Sequence, residues 1–378
     1  MKTFVLSLSL VSIALITGCA QQCHQPPSLR SDLMNQPGIV RANFLFADPP
    51  FESCHASTIV ETKDYFVSAF FAGTGEGNND VGIWLCRRKK GSWCWSEPRD
   101  VAYGIQYRLR ETGELKRYPC WNPVLYQPKN APLMLFYKAG PNPDHWWGML
   151  MTSSDQGKTW SQPRRLPEGI TGPVRAKPVM LDDGTLLCGS STEDKGWRVH
   201  MEFTKDLAKT WSRTEALNDG KEFAAIQPTI LKHAGGKLQI LCRSDGNIRQ
   251  AWSSDQGCTW TPLTKSVLPN PSAGIDAVKL PDGRHLLVYN HSNGDTGGRS
   301  KLNVAVTEDG THWKAALKLE DGKTIQGKKA YGAYPGAILS SDGLVHIVYT
   351  WKRDLINYVV IDPARLILRD MPGGNWPD

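Results

Sequence analysis

The chain has 378 residues and a formal charge of +7, with 44 Lys and Arg against 37 Asp and Glu. That length exceeds one ordinary core but suits a single repeated or barrel-like architecture, and the charge is modest and unclustered, with no basic run of the kind that grips nucleic acid. Of nine cysteines, the seven in the folded part (Cys54, Cys86, Cys94, Cys120, Cys188, Cys242 and Cys258) form no Cys-x-x-Cys and have no histidine at zinc-ligand spacing, so no metal and no other cofactor is expected.

The first element is "MKTFVLSLSLVSIALITGCAQQC", a lysine and then an apolar run from Phe4 to Ile16 that is too short to span a bilayer. This is an export signal. Its end, Ile16-Thr17-Gly18-Cys19, resembles a bacterial lipobox, which implies a lipidated Cys19, a membrane partner reached through the lipid, and a periplasmic or surface location. Ordinary signal cleavage near Ala20 is the alternative. Residues 20–42 read as a tether, 43–370 as the folded unit and 371–378 as a tail. Outside the cytoplasm two or three disulfides are permitted, but seven cysteines cannot all pair.

The folded unit is one phrase written six times. Tryptophans at Trp95, Trp160, Trp211, Trp260 and Trp313 follow one another at roughly fifty residues, a period that means a propeller or a solenoid. Between them recur an apolar strand, a turn and a second apolar strand, starting at His55, Asn122, Lys177, Gln227, Asp276 and Tyr334. The copies alternate apolar and polar residues around Asp-Gly or Gly-Gly turns, so each reads as a β-hairpin. Residues up to each tryptophan supply two more strands. Six four-stranded sheets must stack around an axis to bury their faces, which predicts a six-bladed β-propeller, with a β-solenoid disfavoured because its coils are shorter.

The loops "SSDQGKTW" (153–160) and "SSDQGCTW" (253–260), with the looser "TKDLAKTW" and "TEDGTHW", close with those tryptophans. Asp can bond the turn's own backbone, Gly can take positive φ, and Trp packs into the hairpin base. Asp155, Asp206, Asp255 and Asp309 are therefore struts rather than catalytic groups.

These loops are Asp boxes, and six repeats carrying them resemble the sialidase (neuraminidase) superfamily from about Asn43 to Asp362. The resemblance implies a funnel on the propeller axis, lined by the opening residue of each phrase: His55, Asn122, Lys177, Gln227, Asp276 and Tyr334. All six are polar, which suits a ligand site. Sialidases bind the substrate carboxylate with three arginines and use a Tyr nucleophile with a Glu partner and an Asp acid/base. By resemblance Tyr334 in "GAYPGAI" is the nucleophile and Asp80 in "NNDVGIWLCRR" the acid/base, carried by the loop "GTGEG". Arg243 in "LCRSDG" and Arg299 in "GDTGGRSKL" are the second and third arginines. Arg353 in "YTWKRD" can also face the funnel or sit on a solvated turn.

Two positions depart from the family. His55 stands where the first arginine belongs, and Gln227 stands where the Glu belongs, with Glu222 the nearest acid. Gln cannot take a proton from a phenol, and His cannot fork a carboxylate but can shuttle protons. Three readings follow. The first is an exo-acting glycoside hydrolase on an anionic sugar, with His55 or Asp276 in the missing basic role. The second is a lyase acting on a uronate, with His55 removing the proton next to an arginine-neutralised carboxylate. The third is a glycan-binding lipoprotein in which Trp146, Trp147 and Trp197 stack on sugar rings. His200 and His346 alternate with apolar residues on strands and read as structural.

Overall fold

The structure, a computed structural model, describes residues 29–294, 298–325, 328–329 and 331–377. The export segment, Cys19 and the front of the tether lie outside them. The described chain forms six blades around an axis. Blade 1 comprises Ser53–Glu61, Tyr65–Gly73, Gly82–Lys89 and Arg99–Ala102. Blade 2 comprises Cys120–Tyr126, Leu133–Ala139, Trp147–Ser153 and Arg164–Arg165, and blade 3 Val179–Met180, Leu186–Thr192, Arg198–Thr204 and Ser212–Arg213. In blade 4, Leu238–Ser253 runs unbroken where the others have two strands, flanked by Ala225–Lys232 and Thr264–Pro271. Blade 5 comprises Asp276–Lys279, His285–Asn290, Lys301–Thr307 and Trp313–Asp321, with Arg369–Asp370 added outside.

Blade 6 closes the ring. Gly332–Leu339, Val345–Trp351 and Leu355–Ile361 take their fourth strand from the other end of the chain, Ile39–Phe44. Arg30, just before that strand, is buried and bonds Glu320 of blade 5 at 2.8 Å, and the Tyr349 hydroxyl of blade 6 donates to the same carboxylate oxygen at 2.8 Å. The tether therefore ends earlier than the sequence suggests: residues 30–42 belong to the fold, with Leu33, Ile39 and Ala42 in its core. The tail is likewise partly built in, since Met371 packs between blades 4 and 5.

Each hydrophobic cluster lies between consecutive blades. Leu286 and Val288 meet Val345 and Ile347; Val67 and Leu85 meet Leu125 and Leu135. Every such side chain contributes about 1.5–3 kcal/mol on full burial, but only when the neighbouring blade is present, so the fold is stable as a ring and not blade by blade.

The turns behave as their chemistry demands. Asp155 accepts from the Thr159 backbone N–H at 2.7 Å and the Thr159 hydroxyl at 2.6 Å, and Asp255 repeats both bonds on Thr259. Trp260 donates its ring N–H to the Gly257 carbonyl. Ala208 takes the glycine's place at φ 67°, a strained conformation for an alanine. His200 pairs with Glu202 at 2.9 Å and His346 with the Tyr358 hydroxyl at 2.6 Å, both buried. Cys94 is disulfide-bonded; Cys54, Cys86, Cys120, Cys188, Cys242 and Cys258 are free thiols, only the last exposed.

Candidate functional site

Four inner strands open with the same irregularity. Ala56, Asn122, Gln227 and Tyr334 all take positive φ (58°, 35°, 56° and 54°), each inside a slip of register between the first and second strands of its blade. Such a bulge re-aims one side chain and costs backbone strain that persists only where the surroundings fix it. Its repetition marks the funnel positions and shifts two sequence assignments. In blade 1 the position matching Tyr334 belongs to Ala56, so His55 sits one residue earlier. On the approach to blade 5 Gly274 lies against the funnel groups: a Cβ there would lie 3.4 Å from both Gln227 Oε1 and the Tyr334 ring.

Tyr334 is the centre of a cationic cluster. Arg243 donates from Nη1 to its hydroxyl at 2.5 Å, and the guanidinium carbons of Arg175, Arg299 and Arg243 lie 5.3, 5.3 and 5.7 Å from its ring centroid. Ser272, itself at φ 52°, holds two of them: its hydroxyl accepts from Arg243 at 3.3 Å and its carbonyl from Arg299 at 2.9 Å. Arg299 also reaches the Tyr331 hydroxyl at 3.2 Å. Arg175 is buried and donates to the Pro335 carbonyl at 2.6 Å. Sequence reasoning missed it because blade 3 has extra residues between Val174, whose N–H bonds the Gly189 carbonyl, and Val179, and the repeat gives no register for them.

His55 lies behind this cluster. It is 1% exposed, its ring centroid is 4.2 Å from that of Tyr334, and Nδ1 shares a hydrogen bond with the Thr350 hydroxyl at 2.9 Å. Burial holds its pKa well below the usual histidine value, reinforced by Arg353, Arg299, Arg175 and Arg243. His55 is thus a neutral, buried support for the phenol ring, where the sequence reading expected a side chain open to the funnel. Gln227 is 2% exposed, and its Oε1 is buried without a protein partner.

Lys177 and Asp276 also depart from expectation. They pair with each other, Nζ to both carboxylate oxygens at 3.1 Å, while Asp276 accepts from the Thr229 hydroxyl at 3.1 Å and the Ala337 N–H at 2.8 Å. Asp276 is 2% exposed. The pair ties blades 3, 4, 5 and 6 on the axis, and Lys177 lines a cavity with the far ends of the inner strands, among them Glu61, Gln127, Lys279 and Leu339. Both are spent on the scaffold.

The rim is built by the turns that follow each second strand. In blade 1, Asp80 is exposed and accepts from the Thr74 N–H at 2.7 Å and hydroxyl at 2.8 Å. Glu76 of the same loop binds Arg353 at 2.5 Å, tying this loop to blade 6. In blade 3, Glu193 is a half-buried carboxyl bonded by Trp197. Burial pushes it up to about 7, against the pull of Arg243. Arg243 covers the Trp197 ring at 4.6 Å, so Glu193, Trp197, Arg243 and Tyr334 form one connected series. Asn122 is buried at its bulge. Among the described residues no group of three His, Cys, Asp or Glu could hold a metal.

The BNR repeat-like domain model matches residues 64–347. The chain belongs to that family. This BNR propeller is 26% identical over 183 residues to a sialidase of Bacteroides fragilis, covering 43% of the chain and 32% of the relative, so it spans about a third of that protein's length. Its fold is that of the Streptococcus pneumoniae NanB sialidase (K499G mutant; TM-score 0.66, 12% identity, 88% of this chain and 71% of the other) and of Trypanosoma rangeli sialidase (0.64, 16%, 89% and 60%). A Dyadobacter fermentans protein of unknown function matches equally well (0.66, 17%, 87% and 100%). At these identities the structural likenesses establish the propeller alone.

Proposed function

We propose that this propeller is an exo-acting glycoside hydrolase that removes an anionic, carboxylated sugar from the end of a glycan, and that it works outside the cytoplasm, anchored to a membrane through Cys19. The observation that carries the reading is the phenol of Tyr334 bonded by Arg243 and flanked by Arg299 and Arg175. Fixed, partly buried guanidinium groups favour a carboxylate, and a phenol is a nucleophile that an anionic sugar does not repel, the known exception to two-carboxylate glycosidases. Arg243, Arg299 and Arg353 hold the carboxylate, Tyr334 meets the anomeric carbon and Asp80 protonates the leaving oxygen. Glu193 is the rim carboxyl joined to this phenol through Trp197 and Arg243.

The burial of His55 weighs against the lyase reading, which needs that imidazole against a substrate C–H. The test is a panel of sialosides and uronate-terminated oligosaccharides incubated with the purified soluble part. Release of free sugar supports hydrolysis. An unsaturated, ultraviolet-absorbing end overturns it in favour of elimination, and binding with neither product reduces the protein to a glycan receptor.

A further inference from the structure

The Asp-box loops dock each blade on the one before it. A Cβ on Gly157 would meet Val67 of blade 1, and one on Gly257 would meet Leu187 of blade 3. At three seams the preceding blade also donates a hydrogen bond to the carbonyl at the glycine position of the loop. Arg99 of blade 1 bonds the Gly157 and Lys158 carbonyls, the latter at 2.7 Å; Arg164 of blade 2 bonds that of Ala208 at 2.7 Å; Gln239 of blade 4 bonds that of Gly310 at 2.9 Å. The seam between blades 3 and 4 lacks this brace. Arg99 and Arg164 stand opposite Leu85 and Leu150, each ten residues before its blade's tryptophan; opposite the matching Met201 of blade 3 stands Thr214. Among the described residues no donor of blade 3 reaches the Gly257 carbonyl, which accepts from Trp260 of its own loop at 2.8 Å, and Gln256 makes none of the cross-blade bonds by which Gln156 holds Thr62 and Asp64. A cavity of about 870 Å³ opens there, lined by Leu181, Phe203, Trp211, Thr214, Gln256 and Cys258 among others, within the roughly 300–1,000 Å³ span of ligand sites.

We propose that this cavity takes an arginine side chain presented by another polypeptide, whose guanidinium supplies the bond that blade 3 does not. The same loop already accepts a guanidinium in blades 2 and 3, and a planar, charged fork of donors suits paired backbone carbonyls better than a neutral group does. The charges agree. Lys205 pairs with Asp183 at 2.8 Å and Arg213 donates to the Gly169 carbonyl at 2.9 Å, so both cations on the wall are engaged. The Asp255 carboxylate, also on the wall, bonds only neutral groups of its own loop, Ser253 and Thr259, and is left for an incoming cation. Phe203 and Trp211 add aromatic rings of the kind on which a guanidinium rests. The cavity is larger than one side chain, with room for the residues that flank the arginine, which favours a polypeptide over a free guanidino compound. It lies at the turns between third and fourth strands, the opposite ends from the rim loops that carry Asp80 and Glu193, so the inference is independent of what the funnel binds.

The test is calorimetric binding of capped probes to the purified full chain in mild detergent: a glycine-arginine-glycine tripeptide, the same tripeptide with neutral, isosteric citrulline for arginine, and arginine alone. The arginine tripeptide is expected to bind about tenfold tighter than the citrulline one, in keeping with a hydrogen bond from a charged donor. Thr214→Arg, which restores the brace within the chain, is expected to abolish that binding, and a melting curve verifies that the variant folds. A second readout needs no variant. Cys258 is an exposed thiol on the cavity wall, and with the arginine tripeptide at ten times its Kd it should react with a maleimide about tenfold more slowly, as site occupancy requires; mass spectrometry of the Cys258 peptide follows it. Equal binding of the two tripeptides, binding that survives in Thr214→Arg, or an unchanged rate at Cys258 overturns the site. Capped arginine that binds as tightly as the tripeptide keeps the guanidinium and overturns the polypeptide partner.

Discussion

Arg243 holds the Tyr334 hydroxyl at 2.5 Å with one edge of its guanidinium while its face rests on Trp197. One side chain thus connects the Tyr334 phenol to the rim carboxyl Glu193, and the two ends of that connection separate by substitution. Tyr334→Phe keeps the ring, the arginines around it and the binding of a carboxylated sugar, and lowers kcat by about 10²–10⁴-fold, the range for loss of a group acting in the transition state. Arg243→Ala weakens binding itself, on the order of 2–5 kcal/mol as for a buried charge pair losing one partner. Steady-state kinetics with calorimetric affinities of both variants check the split.

Glu193 gives a pH signature in stability. Its carboxyl is raised from 4.5 to about 7, first by burial. A raised carboxyl pKa means that the folded state holds its proton where the unfolded chain has released it, so ionisation costs stability as pH climbs from 4.5 through 7 and costs nothing below 4.5. Glu193→Gln removes that cost. The variant should melt with the parent at pH 4.5 and above it at pH 8, with the gap opening between these values. A gap independent of pH would show that Glu193 does not titrate in this window.

The scaffold was legible in the sequence because its signals are local. Asp-Gly turns, the tryptophan-closing loops and alternating strands each lie within a few residues, and six copies reinforced one register. The repeat register made Tyr334, Asn122 and Gln227 legible, and the family resemblance made Arg243 and Arg299 legible, both of which surround Tyr334. Arg175 was hidden by the longer approach to Val179. His55 was displaced by one residue because a bulge, invisible in composition, puts Ala56 in the funnel position. Lys177 and Asp276 read as ligand groups because each is polar at a strand start, yet across the axis they satisfy each other. Residues 39–42 of the closing strand were read as tether since their partner, Leu355–Ile361, lies at the far end of the chain and pairing of that range leaves no local mark.

That closure makes a stability prediction. Glu320 is buried, and burial holds its carboxyl above its usual value even with Arg30 beside it. Removing one partner of a buried pair leaves an uncompensated charge at a cost of about 3–5 kcal/mol. Arg30→Ala should therefore lower the denaturation midpoint sharply, and the added change Glu320→Gln should recover much of the loss. Urea melts of the single and double variants decide it; a double variant no better than Arg30→Ala would place the energy in packing instead of charge.

The ion pair of Glu76 with Arg353 sets the last prediction. It joins the loop that carries Asp80 to the arginine cluster proposed to hold a carboxylate, and its side chains are 36% and 32% exposed, so screening limits it to about 0–1 kcal/mol. A substrate carboxylate at Arg353 must compete with Glu76. In Glu76→Gln the competitor is neutral, so KM for an anionic substrate should fall by up to about fivefold, the equivalent of 1 kcal/mol, while kcat holds if Asp80 keeps its bonds to Thr74. Added salt should narrow the difference between variant and parent, because it screens the internal pair along with the substrate. A KM that stays level or rises in Glu76→Gln would mean that Arg353 serves the loop and not the sugar, leaving carboxylate recognition to Arg243 and Arg299.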